Sequence, residues 1–293
     1  MSLSPDQTRV AFHKHEDPDG GGLWLIDLAR GGSLLRFSFG NAHEGRPVWS
    51  PDGSRIAFDS AAPGSRQSLY VNVAGGTGQP ELLLKNASDV IPSSWVGDTV
   101  IFTTMTPTSD IWAISTTGDR TPRPIVQTSF AEFDGALSPD GKWLAYVSNE
   151  SGQNGVYVQP FPSGLRIPVS TTGGITPRWR RDGKELFYLT TGHGVLDRPG
   201  AASVSTSSTS VMSVDVQAAG GTLTFRAPKF VFEGERIVRA AVSTAGSTIT
   251  ASQTFEVSAD GQRFLLLRRP ASATSQVENP VTVVLNWTAS LTK

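Results

Sequence analysis

The residues able to do chemistry in this 293-residue chain are few and mostly acidic. One aspartate recurs in a fixed setting, as in "PVWSPDGSRIAFDS" at 47–60, where Val48 and Trp49 precede it and Ile56, Ala57 and Phe58 follow. Such a carboxylate could bind a metal or act as a general base. It could equally close a hairpin, since Asp bonds nearby backbone and Pro-Asp-Gly favours a tight turn. The setting occurs six times, at Asp6, Asp52, Asp98, Asp140, Asp182 and Asp260, and six copies in one chain point to turn structure rather than to six active sites. A second acidic set is Glu132 and Asp134 in "AEFDGAL". Two apart on an extended strand, they would point the same way, an arrangement compatible with acid-base chemistry.

The other reactive types fall short of a catalytic pattern. His13, His15, His43 and His193 form no His-Glu-x-x-His and no zinc-like spacing, although His13 and His15 share one strand face by period two. "DPDGGG" from Asp17 starts like a calcium loop but lacks the downstream acidic ligand. There is no Gly-x-Ser-x-Gly elbow, and Gly141-Lys142 and Gly183-Lys184 are followed by Trp and Glu rather than by the Ser or Thr of a phosphate loop. With no cysteine, disulfides and thiolate chemistry are excluded. Neither a catalytic residue nor a cofactor nor a metal is expected.

Composition narrows the partners. Charged residues are 17% of the chain and the formal net charge is -1, with no Lys or Arg run able to track a phosphate backbone, so nucleic acid is not expected. The N-terminal "MSLSPDQTRV" has no apolar signal segment, and no window is long and apolar enough for a membrane span.

The strands and turns that carry these residues come from a repeat. Hairpins align at "LSPDQTRVAF" from Leu3, "WSPDGSRIAF" from Trp49, "WVGDTVIF" from Trp95, "LSPDGKWLAY" from Leu137, "WRRDGKELFY" from Trp179 and "VSADGQRFLL" from Val257. The spacings are 46, 46, 42, 42 and 78 residues. A period of about 40–45 residues with four strands per unit means propeller blades. Third strands are read at "LWLIDL", "LYVNV", "IWAIS" and "VYVQPF", and fourth strands at "LLRFSF", "ELLLK", "RPIVQ", "RIPVS" and "KFVF". Helical periodicity appears nowhere over ten residues or more. The fold expected is all-β, a six-bladed β-propeller of four-stranded antiparallel blades forming one domain over 1–293, with units near 3–40, 47–86, 93–127, 134–170, 176–234 and 253–290. The low-complexity stretch "RPGAASVSTSSTS", residues 198–210, reads as a mobile insertion in the fifth unit, and "STAGSTITAS" from Ser243 as a polar spacer before the sixth. The first and last units lack strands, so the end blades are expected to be incomplete. The Trp or Leu just before each turn is expected to wedge between neighbouring blades.

The run "WSPDGSRIAFDS … LYVNVAGG" resembles the TolB-like propeller repeat, a relative of the Trp-Asp repeat. More narrowly, "LSPDGKWLAYVSNESGQNGVYVQPFP", "GGITPRWRRDGKELFYLT", "FEVSADGQRFLLL" and "PVTVVLNWTASLTK", in this order, resemble the C-terminal propeller of bacterial, often acidobacterial, membrane serine/threonine kinases. That resemblance implies a sensing or interaction part lying outside the cytoplasmic membrane. The kinase elements themselves, the Gly-rich loop, His-Arg-Asp and Asp-Phe-Gly, do not occur in this sequence. Taken as written, without an export signal, the chain would instead stay in the cytoplasm.

Propellers bind at the mouth of the central channel, where residues before each Trp or Leu anchor converge. Here they are His43, Glu44, Arg46, Asp89, Glu132, Asp134, Arg178 and Gln253. Two arginines among carboxylates suit a polar or charged small ligand or a peptide, with Arg as a bidentate clamp, or an internal ion-pair ring. The function expected is a non-catalytic module for protein interaction or ligand sensing. The alternatives are a propeller enzyme acting on carbohydrate, as lyase or glycosidase, and a structural scaffold.

Overall fold

The computed structural model of the chain describes all residues except 17–19, 39–41, 63, 86–87, 106–107, 192–207, 236–241, 245–246, 250–254, 268–280 and 285–293. The described residues form strands and turns with no helix. Alternating apolar residues broken every few positions by Gly, Pro, Asp or Ser leave the backbone no long 3.6-residue stripe to bury, so it folds into short strands.

The chain divides into two compact units, Met1–Leu144 with Phe161–Ser163, and Ala145–Pro160 with Gly164–Lys293. In the first unit, β1 (Ser2–Leu3), β2 (Arg9–Glu16), β3 (Gly20–Asp27) and β4 (Ser33–Arg36) form one antiparallel meander. The next meander is β5 (His43–Trp49), β6 (Arg55–Ala61), β7 (Ser68–Val73) and β8 (Glu81–Leu84). A third is β9 (Val90–Val96), β10 (Thr99–Thr104), β11 (Asp110–Ser115) and β12 (Arg123–Val126). A fourth sheet orders β13 (Glu132–Leu137), which belongs to the first unit, with β14 (Trp143–Ser148), β15 (Gly155–Pro160) and β16 (Ile167–Pro168), of which β15 and β16 belong to the second.

In the second unit, β17 (Ile175–Trp179), β18 (Glu185–Thr191), β19 (Ser208–Ala219), β20 (Thr222–Phe225) and β21 (Lys229–Glu235) make a five-stranded sheet. Its topology departs from the repeat. Strand β19 is long enough to pair with β21 over Ser208–Ser213 and with β20 over Val216–Ala219. The extra hairpin turns at Gly220 and Gly221, both at positive φ, which glycine adopts without steric cost. Ser208–Ser210, read from sequence as loop, belong to β19 because Glu233–Glu235 supply a ladder partner. Residues 198–207 of that predicted insertion lie outside the described residues. The expected polar spacer contains a hairpin of β22 (Val242–Thr244) and β23 (Ser247–Ile249). Strands β24 (Phe255–Val257), β25 (Phe264–Leu267) and β26 (Val281–Val284) form the last sheet. At the other end, β1 contributes only two residues to its sheet.

The hairpin turns share one bonding scheme. Ser50 Oγ donates to Asp52 Oδ1 at 2.6 Å and accepts the Arg55 N–H at 2.9 Å, while Asp52 Oδ1 accepts the Ser54 N–H at 3.0 Å. Ser4 with Asp6, Ser138 with Asp140 and Ser258 with Asp260 repeat it. These bonds hold the Asp52 carboxyl down at about 2, the Ser50 hydroxyl being the largest cause. In the fifth turn Arg180 stands where serine does and grips Asp182 through Nε and Nη2. Asp98 differs, accepting hydroxyls of Ser115 and Thr117 from the far end of its blade's third strand. At the turn's left-handed position four hairpins place glycine, with Gly53 at φ 70°, whereas the first places Gln7 at φ 61°.

Core packing fixes the anchors. Trp49 is buried in a cluster with Leu23, Leu25 and Phe37 of the preceding sheet and Ile56 and Phe58 of its own. Its Nε1–H donates to Ser2 O at 3.0 Å, and the Arg9 guanidinium lies 4.8 Å over its ring. Trp95 packs likewise against Val48, Ala57 and Leu69, under Arg55 at 5.0 Å. Each such cation–π pair contributes about 0.5–1 kcal/mol at a partly exposed site.

The first strands of the sheets carry a recurrent irregularity. Register slips between Gly45 and Val48 in β5 and between Ile175 and Arg178 in β17. Three residues ahead of the anchors Trp49, Leu137 and Trp179 stand Arg46, Asp134 and Thr176, at φ 44°, 56° and 56°. A non-glycine residue held in this region stores about 1–3 kcal/mol and persists only where its surroundings impose it. Bulges of this kind re-aim a side chain, and here they act on the segment carrying the predicted site residues.

Candidate functional site

The polar residues of the first unit assemble around β5. Gly45 pairs with Asp59 on β6, and a Cβ at Gly45 would stand only 3.3 Å from Asp59 Oδ2. Glycine is therefore what lets the Asp59 carboxylate lie over the strand. One residue on, the bulge turns Arg46 so that its Nη1 donates to Asp59 Oδ2 at 3.0 Å and to Gln67 Oε1 at 3.1 Å. Gln67 in turn donates its backbone N–H to Asp89 Oδ1 at 2.9 Å, and Asp89 Oδ2 accepts from Arg66 Nη1 at 3.1 Å. A single chain of hydrogen bonds thus runs from a fully buried carboxylate, through a guanidinium and an amide, to an exposed ion pair.

His43 and Glu44 border this chain. The His43 ring lies 4.9 Å from that of His13, whose Nδ1 is 2.6 Å from Glu44 O. Burial pushes the Glu44 carboxyl upward against the opposing pull of Ser38 and Arg36, and Asp59 adds to the rise. Asp59 is also pushed up, by burial first, with Arg46 and His43 pulling it back. Neither Asp59 Oδ1 nor Glu44 Oε2 meets a donor among the described residues.

A second polar group sits where β13 follows β11 and β12. Glu132 is fully buried, and its Oε1 accepts the Thr128 hydroxyl at 2.6 Å. Its backbone N–H is tied to Ser109 O at 2.7 Å, next to Asp110, whose Oδ2 accepts from Gln127 Nε2 at 3.2 Å. Burial pushes Asp110 upward as well, with Gln127 and Thr108 opposing. Asp134 is buried too, but its φ of 56° interrupts the extended backbone. The period-two reasoning that paired it with Glu132 on one face therefore does not hold for this strand.

Within the first unit the predicted residues fall into two groups. His43, Glu44 and Arg46 come together, and Asp89 joins them through Gln67. Glu132 and Asp134 lie on a different sheet of the same unit. Arg178 belongs to the second unit, where its Nη1 donates to Pro177 O at 2.8 Å and its Nε lies 3.5 Å from Glu256 Oε1. Gln253 lies outside the described residues, as does His193. Sequence reasoning missed Asp59, Gln67 and Asp110, which fall on or before second and third strands. Asp59 had a signal, an acid inside the otherwise apolar "RIAFDS". No group of three or more His, Asp or Glu suited to a metal ion occurs among the described residues.

Successive antiparallel meanders with repeated hairpin turns and inter-sheet tryptophans define an all-β propeller. The fold is TolB-like: the chain is similar to the putative TolB from Agrobacterium tumefaciens, at 19% identity over 80% of this chain and 81% of that one, with a TM-score of 0.60. TolB from Acinetobacter baumannii is similar at 16% identity and TM-score 0.61, over 90% of this chain, which spans 59% of that protein's length. An oligogalacturonate lyase in complex with manganese is similar at 13% identity and TM-score 0.55, over 93% of this chain and 70% of the lyase. No family model matches the sequence.

Proposed function

We propose that this chain is a non-catalytic β-propeller module for protein interaction or ligand sensing, the sensing part of a larger bacterial signalling protein placed outside the cytoplasmic membrane. The observation that carries the reading is how the two acidic candidates for chemistry are held. Glu132 is sealed from solvent and bound by Thr128, and Asp134 is buried at a left-handed backbone position, so neither is set to exchange protons with a substrate. Arg46, by contrast, keeps part of its guanidinium exposed while its backbone and one nitrogen are fixed. That combination suits recognition. The likeness to two TolB propellers and the resemblance of the repeats to kinase-linked propellers support the same reading.

The test is a thermal melt of the purified chain across calcium, zinc, oligosaccharides, cell-wall fragments and peptides, with product analysis of every oligosaccharide. A midpoint raised by one ligand class without turnover is the expected result, since a ligand that binds only the native state must raise it. Cleavage of an oligosaccharide, abolished by Glu132→Gln or Asp134→Asn, would replace the reading with that of a carbohydrate-active propeller.

A further inference from the structure

The geometry points to Arg46 and Gln67 as a receptor for a carboxylate, the free C-terminus of a peptide or the acid group of a uronic sugar. This rests on the interaction-module reading and assigns it a ligand class.

Among the described residues Arg46 uses only Nη1, shared between Asp59 Oδ2 and Gln67 Oε1. The pairing with Asp59 is single-pronged, because Asp59 Oδ1 receives no donor from the described residues. Nε and Nη2 of Arg46 therefore have no acceptor among the described residues, and the side chain retains 19% of its exposure. The fork geometry of guanidinium matches the two oxygens of a carboxylate, a match lysine cannot make. Gln67 adds a donor beside it: its Oε1 and backbone N–H are engaged, and its Nε2 has no acceptor among the described residues.

The support behind this edge is rigid. The left-handed backbone at Arg46 sets the direction of the side chain, and the fully buried Asp59 anchors one nitrogen. A guanidinium held in this way loses little rotamer freedom when a ligand arrives. Two arginines, Arg46 and Arg66, face two acids, Asp59 and Asp89, so specificity comes from directional hydrogen bonds rather than from net charge.

The experiment is calorimetric titration of the full chain with acetyl-dialanine and its C-terminal amide, and with digalacturonate and the corresponding neutral galactose disaccharide. The variants are Arg46→Lys, which keeps a cation opposite Asp59, and Gln67→Ala. At least one acid is expected to bind, its neutral partner at least tenfold more weakly. Arg46→Lys is expected to weaken that acid at least tenfold with the thermal midpoint kept near wild type. Whether peptide or sugar responds identifies the source of the carboxylate. Binding of neither acid, equal binding of acid and neutral partner, or affinity untouched by Arg46→Lys overturns the assignment. A ligand without a carboxylate found in the panel above would overturn it while leaving the interaction module standing, whereas oligosaccharide turnover would remove the module reading and this assignment with it.

Discussion

Replacing Arg46 by Met would leave the Asp59 carboxylate, fully buried in the first unit, without its guanidinium partner. Breaking a buried ion pair from one side costs about 3–5 kcal/mol, because a charge remains in a poorly solvating interior. The loss must depend on pH. Burial already raises the folded Asp59 above its ordinary 3.8, with Arg46 as the largest opposing influence. Between the unfolded and the folded value the native state binds the extra proton, so stability falls as pH rises through the folded value. Removing Arg46 extends that window upward. Arg46→Met should therefore lose about 3–5 kcal/mol at pH 8 and less at pH 5, which lies nearer the range in which Asp59 takes up its proton. Urea unfolding at the two pH values measures both quantities. Asp59→Asn in the Arg46→Met background should restore much of the loss at pH 8. A loss below about 1 kcal/mol, or one equal at both pH values, would refute the reasoning, since a pair of that strength is typical of the solvated surface.

Gln7→Gly should stabilise the chain by about 0.5–1 kcal/mol, since it relieves a left-handed residue where four other hairpins carry glycine; a lower denaturation midpoint would contradict this. Gly135→Ala should cost about 1–3 kcal/mol in the same assay, because its Cβ would meet Ile101 Cγ2 at 2.8 Å in a packed core. Asp52 is held at about 2, so its contribution to the hairpin is present above the ordinary 3.8 and fades as pH falls toward that lower value. A carboxyl-carbon NMR titration should find Asp52 titrating well below free aspartate, and Ser50→Ala, which removes the largest cause, should move it back up.

The blades were legible in the sequence because their causes are local. Turn chemistry at Ser-Pro-Asp-Gly, alternation in "RIAFDS" and a spacing of 42 to 46 residues act within a few positions of chain, and they suffice to set strand, turn and repeat. The extra hairpin at β20 was missed although "GG" marked its turn, because only the length of β19 allows one strand to pair with two partners over different stretches.

The candidate site obeyed other causes. Membership of Arg46 followed from its place before an anchor tryptophan, but its direction depends on a backbone at φ 44°, which spacing does not report. Asp59 and Gln67 entered through pairing across strands and a loop, and period two fails between Glu132 and Asp134 because Asp134 takes a left-handed backbone. The repeat, the hairpin turns and the lack of any thiol or nucleophile-elbow chemistry follow from residue order alone, since those depend on residue type and short-range sterics. Which polar groups share a buried environment, and which guanidinium keeps donors without an acceptor among the described residues, depend on contacts between residues far apart in the chain, which set burial and hydrogen-bond partners.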